Sequence, residues 1–218
     1  MDLSPLLDEL PADRRLALAY APAIARADSL AVFLLDQRLS RLVSQQREPL
    51  LTQMRLAWWR DRLGEEVSGF HHDEPVLALL AGWGEQRQKL VGLVDGWEAL
   101  LTDPPISDTA IATFAHGRAQ AFATLAVQLG LAECAEEARR AAGNWALADL
   151  AIHIGDPAET ALVQDMIARQ DWKPAKLHGK LRPLAVLHGL ALRKKGAEPL
   201  LTGWRDGLLA VRLGLFGI

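Results

Sequence analysis

The chain has 218 residues and a mass of 23.9 kDa. Half of it is hydrophobic and 23% is charged, which excludes wholesale disorder and supplies apolar side chains for a sizeable core. A formal charge of −3 gives no global electrostatic case for nucleic acid, and one cysteine, Cys134, excludes an internal disulfide or a thiolate-rich metal site. The first fifteen residues, MDLSPLLDELPADRR, carry acids where a targeting leader would carry early basic charge. No apolar run approaches the roughly 18 residues that span a bilayer. The expectation is a soluble, cytoplasmic protein with at most a peripheral membrane contact.

Proline and glycine punctuate the chain at helical spacing, and no stretch alternates with a period of two. Pro22, Pro49 and Pro75 each stand just before a helix-like run, where a missing amide hydrogen removes no bond. From Pro22, Ile24, Ala27, Ala31, Leu35, Leu39 and Leu42 follow at steps of three or four and predict an amphipathic helix over 22–46. From Pro49, Leu50, Met54, Ala57 and Trp58 predict a second helix that stops at Gly64. Further runs predict helices over 75–82, 86–101, 108–129, 132–154, 158–170, 181–195 and 198–215. Thr102-Asp-Pro-Pro and Asp171-Trp-Lys-Pro break the pattern, because the residue before a proline leaves the helical region. Alanine and leucine are abundant and β-branched residues few, which agrees with helix throughout. These features predict a single all-α domain over residues 1–218.

Charge is uneven. Residues 172–195 hold Lys173, Lys176, Lys180, Arg182, Arg193, Lys194 and Lys195 with no acid, whereas residues 1–171 hold 15 basic and 25 acidic side chains. The basic segment is a candidate anion site through Lys173, Lys176, Lys180 and Arg182, or simply a solvated loop and helix end. Asp149, His153 and Asp156, spaced by four and three, share one helical face within about 60° and are candidates to bind a ligand. A hydrogen-bonded His–Asp pair is the plainer reading. His71-His-Asp-Glu74 reads better as charge at a helix start than as a ligand run. The closing segment 207–218 is apolar with one arginine, and reads as a cap on a bundle or as an interfacial anchor beside Arg193, Lys194 and Lys195.

Met54-Arg-Leu-Ala-Trp-Trp-Arg-Asp-Arg-Leu63, with the preceding R-A-D-S-L-A-V-F-L-L-D run over 26–36, resembles the squalene/phytoene synthase family. It is most similar to the branch that includes a mitochondrial complex I assembly factor. Glu74-Pro-Val-Leu-Ala-Leu79, Gly143-Asn-Trp-Ala-Leu-Ala-Asp-Leu150 and Arg182-Pro-Leu-Ala-Val-Leu187 extend the resemblance, in order, from about residue 14 to 195. The resemblance implies a helical bundle of the isoprenoid synthase type around an apolar central cavity. Active members condense two prenyl diphosphates head to head, with two aspartate-rich motifs on facing helices holding Mg²⁺. Carboxylates one helical turn apart can share such hard cations.

Measured against that pattern, Leu39 and Val43 fall where the carboxylates of the first motif belong, and only Asp36 nearby is acidic. The second motif, over 144–156, has Ala, Leu, His and Ile through its centre. A leucine and a valine cannot hold Mg²⁺. The resemblance therefore implies a non-catalytic member that binds a prenyl or other lipid chain, or a protein partner, in membrane-complex assembly. The alternative is a Mg²⁺-dependent prenyltransferase with a divergent diphosphate site at Asp149, Asp156 and the basic segment. No resident metal or cofactor is expected unless that alternative holds, and no nucleic acid. Arg55, Trp59 and Asp61 of the WWRD helix are candidates for the cavity mouth, with Trp58 assigned to scaffold beside Met54.

Overall fold

The computed structural model describes residues 3–44, 48–65 and 74–217. Among them there is no strand, as the sequence predicts. Two short helices open the chain: α1 (Ser4–Leu7) and α2 (Ala12–Ala19). The long α3 (Ala23–Ser44) and α4 (Pro49–Gly64) follow, then the short α5 (Pro75–Leu79), α6 (Glu85–Gln88) and α7 (Val91–Glu98). The second half holds α8 (Asp108–Gln128), α9 (Ala135–His153), α10 (Pro157–Ala168), α11 (Arg182–Lys194) and α12 (Trp204–Phe216).

Helix starts follow local chemistry. Pro49, Pro75 and Pro157 occupy first-turn positions, where their missing N–H is one of the unpaired donors in any case. Ser107 caps α8 by accepting from the Ala110 amide at 3.1 Å, and Asp156 caps α10 by accepting from Ala158 and Glu159 at 2.8 and 3.0 Å. Glu74 caps α5 through the Val76 amide at 3.0 Å. That cap agrees with the reading of Glu74 as helix-start charge; His71, His72 and Asp73 lie outside the described residues.

Packing centres on α3, α8 and α9. From Ser29 to Asp36 every residue of α3 is buried, while Ile24 near its start is 73% exposed. A helix apolar on all sides belongs in the middle of a bundle, so the predicted one-sided stripe understates its burial. Between α8 and α3 sit Phe122, Phe33 and Trp145 of α9, with edge-on ring contacts of 5.5 Å (Phe122–Trp145) and 6.2 Å (Phe33–Trp145). α7 crosses α8 through glycines: a Cβ on Gly117 would lie 2.3 Å from the Gly92 carbonyl oxygen. Only a residue without a side chain lets the backbones approach so closely.

On α4 the predicted face is reversed. Thr52, Leu56, Trp59 and Leu63 are buried, while Leu50, Met54 and Trp58 are 69%, 61% and 38% exposed. Trp58 is therefore not a core partner of Met54, and the Arg62 guanidinium lies 5.7 Å from its ring. Two adjacent apolar stripes about 100° apart were available to this helix, and it buries the one carrying Trp59. The predicted 86–101 helix is divided into α6 and α7. Its linker runs through tighter bonds, Leu90 to the Arg87 carbonyl and Leu93 to the Leu90 carbonyl, while the Arg87 side chain donates to the last-turn carbonyl of Leu63.

Candidate functional site

Four charges from four helices meet in the core. Asp36 of α3 and Asp149 of α9 are the carboxylates; Arg14 of α2 and Arg118 of α8 are the cations. All four are at most 5% exposed. Arg118 donates through Nε to Asp36 Oδ1 at 3.1 Å and through Nη1 to Asp149 Oδ2 at 2.7 Å. Arg14 places Nη1 2.9 Å from Asp36 Oδ2 and donates through Nη2 to Asp149 Oδ2 at 3.2 Å. The Trp97 indole N–H adds a bond to Asp36 Oδ1 at 2.8 Å. Each guanidinium thus bridges both carboxylates, and the quartet is neutral.

Aromatic rings complete the enclosure. The Arg118 guanidinium carbon lies 4.6 Å from the Trp145 ring centroid, 4.8 Å from that of Phe114 and 5.3 Å from that of Trp97. Their π faces offset part of the desolvation of a cation that is wholly removed from water. Burial pushes the Asp149 carboxyl up, but Arg118, Arg14 and His153 together outweigh it and hold it below the usual carboxylate range. Burial likewise acts to lower the pKa of Arg14, but the Asp36, Asp149 and Asp13 carboxylates prevail and raise it above its ordinary value. Asp13, with no such bridge, is pushed up by burial.

Above the quartet opens a cavity of about 590 Å³. Its apolar walls include Val43, Trp97, Leu100, Phe114, Leu150 and Leu200. Asp13, Arg14, Gln37, Ser40, Arg41 and His153 supply the polar lining. An apolar hollow with a few convergent polar groups suits one amphipathic molecule.

The sequence candidates divide around this cavity. Val43, Asp149 and His153 line it; Leu39, wholly buried, packs one turn before Val43 without lining it. His153 and Asp149 form a local pair, with His153 Nδ1 donating to the Asp149 carbonyl at 2.7 Å while most of its ring is exposed. Asp156 leaves the predicted trio to cap α10. Arg55 and Asp61 are exposed on α4, Trp59 is buried there, and none of the three lines the cavity. Arg60 of the same helix instead ties α4 to α7, with bonds of 2.6 Å to Asp95 and 2.5 Å to Glu98.

The basic segment also lies away from the cavity. Lys173 pairs with Asp171 at 3.2 Å, Lys180 donates to the Leu129 carbonyl at 2.7 Å, Lys176 is exposed, and Arg182 packs close to Gly217. Arg140 and Asn144 of α9 strap the loop down by donating to the carbonyls of Asp171 and Lys173. His188 is 2% exposed beside Glu137 and Arg140, and burial drives its pKa down to about 4.

Sequence reading missed Arg14 and Arg118, although a signal exists for both. Phe114, Arg118 and Phe122 recur at i, i+4 and i+8, and Arg14 stands one turn before Leu18. In each case an arginine occupies an apolar stripe, which marks a buried cation with buried partners.

Mg²⁺ does not fit these residues. Asp36 and Asp149 are already paired with guanidiniums, and although Asp13 also lines the cavity, among the described residues no three of His, Cys, Asp and Glu come together as a metal-holding group. A divalent ion bound between Asp36 and Asp149 would compete with the buried arginines.

Compared with known protein families, the chain matches squalene/phytoene synthase over residues 12–156, about two thirds of its length. No curated protein and no solved structure gives a significant match.

Proposed function

The chain belongs to the squalene/phytoene synthase family, with the all-α fold expected of isoprenoid synthases; from that premise we propose that it is a non-catalytic member that binds a lipid chain and serves in membrane-complex assembly. The observation that carries this reading is the Arg14–Asp36–Arg118–Asp149 quartet. Departure of a diphosphate requires cations that meet its developing negative charge. Here Asp36 and Asp149 are already paired with the protein's own guanidiniums, burial favours the neutral form of Asp13 at the cavity, and Leu39 and Val43 supply no further oxygen. What remains is an apolar hollow of about 590 Å³ with a polar rim, suited to holding a prenyl or acyl chain and not to ionising it. The prenyltransferase alternative would need Asp149 and Asp156 to share cations, and Asp156 is committed to the α10 amides.

Three measurements test the proposal. Protein incubated with farnesyl diphosphate and Mg²⁺ should release no pyrophosphate, while a fluorescent fatty-acid probe should bind and be displaced by a prenyl alcohol. Deleting the gene in its host should lower the amount of an assembled membrane complex without changing the prenyl lipid pool. Mg²⁺-stimulated pyrophosphate release would overturn the non-catalytic reading, and a probe that does not bind would overturn the lipid reading. An unchanged set of membrane complexes would remove the assembly role.

A further inference from the structure

We propose that α12 docks this protein on an anionic lipid surface. Its inner face is fixed to the bundle through small residues. A Cβ on Gly189 of α11 would lie 2.2 Å from a Leu213 methyl group, and one on Gly214 would lie 2.3 Å from the Tyr20 ring. Asp206, Ala210 and Gly214 are buried in that seat. At the helix start, Asp206 accepts from the Thr202 amide and hydroxyl at 3.1 and 3.0 Å and lies 3.2 Å from Lys194 Nζ and 3.4 Å from Arg193 Nε.

The outer face is apolar and open. Trp204, Leu208, Val211 and Leu215 are 74%, 61%, 40% and 59% exposed, and Phe216 is 66% exposed. At about 100° per residue, the first four fall within an arc of roughly 60°, a single stripe along the helix. Arg205 and Arg212 flank it on one side, both exposed, and the Arg205 guanidinium lies 5.5 Å from the Trp204 ring. Exposed Arg193 and Lys195 add positive charge at the end of α11. The only carboxylate on α12 is the buried Asp206, and Glu198 nearby is paired with Lys194 at 2.7 Å.

The charge pattern selects the occupant. A second copy would bring the same arginines to the contact with no exposed carboxylate on α12 to receive them. An anionic bilayer receives both parts: the apolar stripe enters the headgroup boundary, and the arginine stems extend along it with their charges among phosphates. Among the described residues no helix is long and apolar enough to cross a membrane, so docking in the plane of the interface is the geometry open to α12.

This inference rests on the membrane side of the proposed function and not on the cavity. Its test is sedimentation of the full chain with vesicles of phosphatidylcholine alone, or with roughly a third phosphatidylglycerol. Binding to the anionic vesicles should exceed binding to the neutral ones by about tenfold or more, with a blue shift of tryptophan emission, and should fall at high salt. Leu208→Glu with Leu215→Glu should abolish it, and Arg205→Gln with Arg212→Gln should lower it by about tenfold. Leu208 and Leu215 face outward, so circular dichroism and melting of the Leu208→Glu, Leu215→Glu variant should be unchanged. Equal binding to both vesicle types, variants that bind like the parent, or a dimer in solution that Leu208→Glu and Leu215→Glu dissociate would each overturn it. Pyrophosphate and probe measurements in solution read the cavity separately, so failure on vesicles leaves the lipid-binding reading to its own test.

Discussion

Arg118 is the residue on which the site turns, because its guanidinium contacts both buried carboxylates and three aromatic rings. Arg118→Met leaves Asp36 and Asp149 with one cation between them, so we expect urea unfolding to report a loss of about 3–5 kcal/mol. Leu39→Asp should also destabilise by several kcal/mol, since it buries an unpaired charge at a position with no exposure; unchanged stability would mean the site is not buried. His188 sets an acid dependence of its own. Its folded pKa of about 4 lies below the ordinary 6.5, so between those values the unfolded chain holds a proton that the folded chain lacks. Stability therefore falls as pH drops from about 6.5 to about 4, by roughly 3 kcal/mol in all. His188→Leu should remove this slope from the measured unfolding free energy. Asp149, with its pKa held down, contributes stability that is present above its unfolded value near 4 and is lost only as pH falls further. At this scale Asp149 and Val43 were legible from helical spacing and the family resemblance. Arg14 and Arg118 were not, because a lone arginine in an alanine-rich helix looks like a solvated one until its apolar neighbours at i±4 are counted.

Among the elements, the crossing of α7 and α8 carries the site's geometry. Trp97 on α7 and Arg118 on α8 meet Asp36 only because Gly92, Gly96 and Gly117 let the two backbones touch. Gly117→Ala forces a methyl against the Gly92 carbonyl, a contact that backbone alone must relieve. We expect a loss of about 1–3 kcal/mol in thermal or urea unfolding. Proline made two helix starts legible: Pro49 and Pro75 each open a helix, as the sequence predicts. The α4 face was not legible, because its two tryptophans offered two stripes and only the partners supplied by α7 decide between them. Nor was the start of α12 legible, placed at 198 by apolar content. Pro199 and Gly203 hold the segment before it out of the helix, and α12 begins at Trp204.

For the whole molecule, a chain with net charge −3 collects its charge into separate places. The neutral quartet lies under the cavity, a strapped basic loop runs along α9, and arginines flank the apolar face of α12. The family resemblance led to the all-α bundle, and of Leu39 and Val43, the two positions it pointed to, Val43 lines the cavity while Leu39 is buried behind it. The guanidiniums that pair with Asp36 and Asp149 come from α2 and α8, far apart in sequence, and only packing brings them together. In the proposed reading, the guanidiniums of Arg14 and Arg118 stand in for the cations that an active enzyme would recruit. Calorimetric titration of the purified protein with farnesyl diphosphate, with and without Mg²⁺, tests it most directly. Millimolar Mg²⁺ should leave the outcome unchanged, with either the same affinity within about twofold or no binding in both cases. An affinity raised about tenfold or more by Mg²⁺, equivalent to about 1.4 kcal/mol, would contradict it.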